Sequence, residues 1–456
     1  MMMLSEIAKA VNGQMLGADT EVFSIGSDSR NMIKNQLFVA IKGEKFDGNT
    51  YAAEAIKQGA AAVLVSNSQT EARPAVLVKE SRLALGLLAK HWRNKFTLPL
   101  VAVTGSNGKT TVKEMIAAIL SVSNKSVLAT QGNLNNDIGM PMTLLKIRKE
   151  HAYAVIEMGM SHLQEIDYLT RIAQPTVAVI NNAGTAHIGE LGSRENIAKA
   201  KGEIFAGLHN DGIAVINADD SFADYWKSLN QARKVITFGL SKAADVSATY
   251  QTSGNLTHVS LKTPNEKVEF NLAVLGVHNI QNALAASAVA VALDVEIIDI
   301  AKGLTGFGAV KGRLNWLAGF NGAVLIDDTY NANPDSMKAA IDVLAYQNSS
   351  PQTSTIFVMG DMGELGENAP QMHADIGAYA KQKKINQLFT FGELSQLAAK
   401  EYGASAKHFS SIDVLVEAIK NKMKQSVTVL VKGSRFMQME RVVYQLLEKN
   451  IERENT

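Results

Sequence analysis

Short runs of consecutive apolar residues alternate with longer stretches in which apolar positions recur at helical spacing, and this holds for almost the whole chain. Strands buried on both faces read as unbroken apolar runs, whereas the helices that cover them show one apolar stripe. The pattern therefore predicts an α/β fold, with parallel sheets joined by crossover helices. Near the N-terminus the runs at 37–41, 61–65 and 75–78 are expected as strands, and 81–92 as a helix closing the unit. The segment 93–99 is charged and ends on Pro99, which suits a linker better than an element interior.

Beyond residue 100 the runs at 101–103, 154–156, 177–180 and 213–216 each lead into a polar loop. In open parallel sheets functional groups sit just outside such carboxyl ends. The stretch 246–275 differs, since 247–250, 258–262 and 268–272 alternate polar with apolar residues between Gly- and Pro-containing turns. It predicts a small antiparallel flap on the same domain. A Gly-rich stretch from Gly303 to Gly312 is expected to be a hinge, after which 324–326, 356–358, 388–390 and 429–431 repeat the strand-then-loop theme. The expected domains are 1–97, 98–309 and 310–456.

A length of 456 residues agrees with that division, at roughly 150 residues per domain. The 45 Lys+Arg and 44 Asp+Glu nearly cancel, so no one-signed field recommends nucleic acid or an anionic membrane as partner. Any phosphate recognition must be local. Cysteine is absent, which excludes disulfides, thiolate nucleophiles and Cys-ligated metals, and fits a reducing compartment. Glu6 interrupts the N-terminus before an apolar signal could form, and the weakly polar stretch 283–293 stops at Asp294, short of the ~20 residues that span a bilayer. The expectation is a cytoplasmic protein without membrane insertion.

The strongest chemical signal is Thr104-Gly105-Ser106-Asn107-Gly108-Lys109-Thr110-Thr111. Backbone N–H groups in such a Gly-permitted turn wrap phosphate oxygens, the lysine reaches the β/γ phosphates, and the hydroxyl of Thr110 can bind Mg²⁺. A buried strand precedes the loop, and Val112, Met115, Ile116, Ile119 and Leu120 follow as one face of a helix whose N-terminus meets the anion. Val103 stands where the usual motif has Gly, so the loop is a shortened variant. Glu157, after the run at 152–156, could supply an oxygen ligand to Mg²⁺, and His187, past the next strand, a nitrogen ligand. Lys199 and Lys201 lie on a helix expected over 194–208, where the default role of lysine is at the surface.

With these residues in view, the chain resembles the Mur ligase family over essentially its whole length. The resemblance rests on the shortened loop at 104–111, on Thr130-Gln131-Gly132-Asn133-Leu134-Asn135-Asn136-Asp137, on Glu157-Met158-Gly159 and on the His187 loop. Lys201-Gly202-Glu203-Ile204-Phe205 matches the position of the family's carbamylated lysine, and the 276–283 segment its adenine site, with Asn279 and Asn282 as contacts. Lys311-Gly312-Arg313 resembles the phosphate-binding arginine delivered from a third domain, and 327–334 the nucleotide-closing loop, with Asp328 and Asn331. Ser29, Arg30 and Asp47 match the UDP-sugar end, although Asn49 stands where the family often has His. Asn135 and Asn136 are expected on substrate.

The 327–334 loop, 359–366 and 431–435 favour the branch that adds D-alanyl-D-alanine to UDP-N-acetylmuramoyl-tripeptide in peptidoglycan synthesis. That resemblance implies a UDP-binding first domain, a central P-loop ATPase domain and a Rossmann-like third domain. It also implies ATP, two Mg²⁺ sites held by Thr110, Glu157, His187 and carbamylated Lys201, and an acyl-phosphate route. Lys109, Glu157, His187, Lys201 and Arg313 would carry the chemistry in a monomer that closes at its hinge. The alternative is another amide ligase of the superfamily, an earlier Mur step or a folylpolyglutamate synthase.

Overall fold

The computed structural model describes residues 1–349 and 352–448, so the end of the expected third domain, 449–456, lies outside the described residues. Three larger sheets succeed one another along the chain. The first has five strands in the order Gln14–Leu16, Ala75–Leu77, Ala62–Val65, Gln36–Val39, Ser24–Gly26, all parallel except the first. The three central strands are the apolar runs seen in the sequence. The two outer ones are short and half-exposed, so they carry no continuous apolar run by which to be found.

Helix Ser81–Arg93 follows, and it includes Arg93, the residue at which a linker was expected to begin. Arg93 is buried, and its guanidinium donates to the carbonyls of Ala173, Phe96 and Leu98 at 3.2, 2.6 and 3.4 Å. A cation here satisfies backbone acceptors that burial would otherwise leave unpaired. Trp92 makes a similar tie, its Nε1–H donating to Ile147 O at 3.1 Å. Leu85 and Leu88 share one continuous core with Leu37 and Leu64 on one side and Met140, Leu144 and Ile166 on the other. The first sheet is thus packed into the second unit through this helix.

The central sheet has nine strands. Leu100–Thr104 lies in its interior, flanked by His151–Glu157 and then Ser126–Ala129 on one side, and by Val177–Ile180, Ile213–Asn217 and Lys234–Gly239 on the other. These are parallel. The antiparallel flap is present as Val246–Ser253, Leu256–Lys262 and Lys267–Leu272, and it continues the edge of this same sheet. Its inward residues Val259, Leu261, Phe270 and Leu272 join the core under helices Lys109–Ser121, Val277–Ala292 and Ile297–Thr305.

Two expectations about boundaries are corrected here. Gly303 belongs to helix Ile297–Thr305, where an added Cβ would lie 2.5 Å from Ile119 Cα; it is a helix-packing glycine, and the stretch without helix or strand is 306–314. The helix expected over 194–208 ends at Gly202 and tightens into a 3₁₀ turn, Glu203–Gly207. The last sheet has six strands in the order Asn315–Ala318, Val324–Asp328, Val427–Lys432, Ser354–Gly360, Gln387–Phe391, Ala406–Phe409, parallel apart from the first. Among the described residues no helix is long and apolar enough to cross a membrane.

Candidate active site

The phosphate loop occupies the point where the chain order of the central sheet reverses around Leu100–Thr104, the position at which open α/β sheets leave a crevice. Helix Lys109–Ser121 starts there, presenting unsatisfied N–H groups to an anion. Gly108 has φ 78°, and a Cβ on it would fall 2.3 Å from Asn282 Oδ1 and 2.5 Å from Asn181 Nδ2. The loop is held from behind by amides. Ser106 N donates to Asn182 O and Asn107 N to Asn182 Oδ1, both at 2.9 Å, while Asn181 Nδ2 donates to Asn107 O and Asn282 Oδ1, also at 2.9 Å. Asn282 Nδ2 donates in turn to Asn279 Oδ1 at 3.1 Å. The hydroxyl of Ser106 is buried without a hydrogen-bond partner among the described residues, leaving it for a ligand.

Thr110 donates its hydroxyl to Glu157 Oε2 at 2.8 Å, and Asn135 Nδ2 donates to Glu157 Oε1 at 2.7 Å. Asn135, expected on substrate, therefore orients the carboxylate. Lys109 is half-buried and donates to Gly105 O at 2.8 Å; desolvation lowers its pKa, with the Glu157 charge opposing. From the third unit Arg313 reaches across, its Nη2 donating to Thr110 Oγ1 at 2.8 Å while the guanidinium lies 4.2 Å from the Tyr330 ring centre. His187, in a left-handed backbone conformation at φ 64°, puts Nδ1 2.6 Å from Glu364 Oε2. A non-glycine residue held so is typical of functional loops.

Lys201 is 1% exposed and has neither a hydrogen bond nor an ion pair among the described residues, so the surface role usual for a helix lysine is not the one it takes. Burial and then the Lys109 charge push its pKa well down. Neither His187 nor Lys201 is hydrogen-bonded to the Thr110–Glu157 pair. Thr110 and buried Glu157 are hard oxygen donors on adjacent elements and fit Mg²⁺. Among the described residues no three His, Cys, Asp or Glu converge as a ready-made metal cage.

These groups line a cleft of about 1430 Å³ between the units, larger than the 300–1,000 Å³ of a typical small-ligand pocket. Ser106, Asn107, Gly108, Lys109, Thr111, Asn135, Asn136, Glu157, His187, Asn279, Asn282, Arg313, Asp328 and Asn331 all line it. Gly105, Thr110 and Lys201 lie behind that lining, and Ser29, Arg30 and Asp47 are not part of it. Arg30 pairs with its neighbour Asp28 at 2.8 Å, Asp47 accepts from Asn49 Nδ2 at 2.7 Å, and Asn49 Oδ1 accepts the Ser66 and Asn67 N–H groups. Asn49 is thereby a loop fastener. Asp328 pairs with Lys432 at 2.6 Å, Lys432 donates to Asn331 O at 2.9 Å, and Asn136 Oδ1 caps Gly139 N at 2.8 Å.

Sequence reasoning missed several participants. Asn181 and Asn182 brace the loop, Lys113 is a fully buried lysine donating to Thr130 O at 2.5 Å, and Arg82 makes a bidentate pair with Asp137 at the cleft wall. Asn181 and Asn182 follow directly on a parallel strand, a positional signal that was available.

Fold and site together define a P-loop nucleotide-binding α/β protein in which a third unit completes the site. The family description Mur ligase middle domain matches residues 103–290, the Mur ligase glutamate ligase domain 312–435, and the Mur ligase family catalytic domain 21–93. The UDP-N-acetylmuramoyl-tripeptide–D-alanyl-D-alanine ligase of Haemophilus influenzae is 40% identical over 97% of this chain and 98% of its own. A crystal structure of MurF from Acinetobacter baumannii superposes with a TM-score of 0.90 at 38% identity, covering 98% of each chain. The MurF ligase of Thermotoga maritima, solved in complex with ADP, gives 0.82 at 29% identity, covering 92% of this chain and 96% of the other. The chain belongs to the Mur ligase family.

Proposed function

We propose that this protein is an ATP-dependent ligase that joins D-alanyl-D-alanine to UDP-N-acetylmuramoyl-tripeptide, giving the pentapeptide used in peptidoglycan synthesis. One observation carries the reading: a phosphate loop, its acidic partner Glu157 and the third unit's Arg313 meet on Thr110 in a single cleft, in a chain 40% identical throughout to a ligase of that name.

A carboxylate is a poor acylating agent, so the γ-phosphoryl of ATP is first transferred to the tripeptide's terminal carboxylate. The amine of the dipeptide then attacks the acyl carbon, and phosphate leaves with the electron pair of the broken C–O bond. The chain's task is positioning and charge neutralisation. The backbone of 105–109 wraps the phosphates, Lys109 and Arg313 neutralise them, and Asn135 fixes the orientation of Glu157. Thr110 and Glu157 would hold Mg²⁺, which supplies Lewis-acid neutralisation of phosphate charge when bound.

Lys201 is the candidate for carbamylation. An isolated buried ammonium is costly, and a lysine whose pKa burial depresses presents the neutral amine that reacts with CO₂. The product is an anion with two oxygen ligands, able to serve a second cation together with His187. On this reading Ser29, Arg30 and Asp47 would meet the UDP-sugar end of the substrate, and the three domains would run 1–97, 98–309 and 310–456. A monomer belongs to this reading, and the lack of cysteine supports a cytoplasmic setting.

The test is phosphate release from ATP with UDP-linked tripeptide and D-alanyl-D-alanine, omitting each in turn. Release is expected only with both acceptors present, and release indifferent to either would sink the reading.

A further inference from the structure

The loop at 359–366 is held more firmly than a connection requires. Met362 N donates to His373 Nε2 at 2.9 Å, Gly363 N to Ser434 Oγ at 2.7 Å, and Gly189 N of the central unit to Glu364 O at 2.9 Å. Glu364 itself stands at φ 62°, a backbone conformation that costs a non-glycine residue of order 1 kcal/mol and persists only where the surroundings impose it. These constraints place one carboxylate in the cleft, on the third unit, facing the His187 loop of the central one.

That carboxylate is only half used. Oε2 meets His187 Nδ1 at 2.6 Å, whereas Oε1 has no hydrogen-bond or ion-pair partner among the described residues, and the side chain is 51% exposed to the cleft. It lines the same cleft as Lys109 and Arg313, so an amine held at Oε1 stands in the cleft where the phosphoryl group is transferred. A ligase faces a particular difficulty here: its nucleophile arrives as an ammonium ion in a site lined by Lys109 and Arg313, which repel it.

We propose that Glu364 binds the α-ammonium group of the incoming dipeptide through Oε1 and so places its nitrogen beside the activated carboxyl, where loss of one proton to water frees the lone pair that attacks; the inference rests on the ligase reading above. His187 on the other oxygen orients the carboxylate. A charge-assisted hydrogen bond of this kind is worth about tenfold or more in affinity.

The experiment compares two nucleophiles. Hydroxylamine is uncharged at neutral pH and attacks an acyl phosphate to give a hydroxamate, with phosphate leaving, so it needs no anionic dock. Glu364→Gln is expected to raise KM for D-alanyl-D-alanine about tenfold, and to lower kcat/KM for the dipeptide far more than for hydroxylamine. Glu364→Asp, which keeps the charge, should recover part of the loss. Equal losses with both nucleophiles, or an unchanged KM for the dipeptide, would overturn the assignment. If the unaltered protein forms no hydroxamate with ATP and UDP-linked tripeptide, the acyl-phosphate reading itself fails, and this assignment with it.

Discussion

Gly108 meets two demands at once, a left-handed φ and the absence of a side chain against Asn181 and Asn282. Either alone disfavours alanine, and together they require the loop to move. Gly108→Ala is expected to weaken ATP binding at least tenfold by calorimetric titration while Tm falls by only a few degrees, because the loop is a small part of the core. His278 illustrates a different residue-scale effect. Burial, reinforced by the Lys432 charge, lowers its pKa from 6.5 to about 4. The unfolded chain therefore binds more protons between those values, so the stability present above pH 6.5 is lost as pH falls through that window, by at most about 3 kcal/mol. A scan of Tm from pH 7 to pH 4 should show this slope, and His278→Gln should flatten it; equal slopes in the two proteins would remove His278 as the cause.

At the scale of elements, helix Lys109–Ser121 does more than present its N-terminus. Lys113, one turn in, donates to Thr130 O, Thr130 Oγ1 accepts from Glu157 N at 2.9 Å, and the loop that begins at Thr130 carries Asn135. One buried cation so ties the phosphate helix to the segment that orients Glu157. In Lys113→Met the methylene packing is kept and the donor lost, leaving a buried carbonyl unpaired at about 1–3 kcal/mol. The expected result is weaker binding of the magnesium–nucleotide complex with a near-native circular dichroism spectrum, and unchanged affinity would show the brace to be idle. Elements also mark the limit of what the sequence discloses. Central strands such as Val177–Ile180 and Val429-containing Val427–Lys432 are legible as unbroken apolar runs, and the phosphate loop is legible because its chemistry is contiguous. Ser126–Ala129 and Ala406–Phe409 are edge strands with exposed or half-exposed residues, so nothing in their pattern separates them from loops. Lys201 was named from the family resemblance, but its burial, like that of Lys113, was hidden for a related reason: burial of a lysine is decided by what packs around it, which composition does not record.

The whole molecule is joined unevenly. The first two units share an extended core through helix Ser81–Arg93, whereas the third meets the second through a small apolar contact, Leu275 and Ile188 against its core, and through polar contacts: Arg313 with Thr110, Asn333 Nδ2 donating to Asn107 Oδ1 at 2.7 Å, and Thr185 N donating to Asp335 Oδ2 at 2.7 Å. Polar contacts exchange with water at little cost, while a shared apolar core does not. Opening should therefore occur along 306–314, with the first two units moving as one. Arg313→Ala combined with Asp335→Ala is expected to enlarge the radius of gyration of the nucleotide-free protein and to speed proteolysis within 306–314 and not within 94–99. Unchanged scattering would place the hinge elsewhere. The arrival of Arg313 at the phosphate loop was expected from the family resemblance, but the Asn333–Asn107 and Thr185–Asp335 contacts were not readable in advance, since each joins residues more than a hundred positions apart whose meeting depends on how two finished units dock.

The same helix sets a rule for recombining such proteins. Leu85, Leu88 and Trp92 face one unit's interior and the next unit's as well, so the first sheet is not a cartridge that can be exchanged at the proline before Leu100. A chimera joined at that proline would graft a foreign surface onto Met140, Leu144 and Ile166. A junction placed ahead of Ser81 keeps the helix with the partner that its far side was shaped to fit, and moves the mismatch to the face turned toward the first sheet.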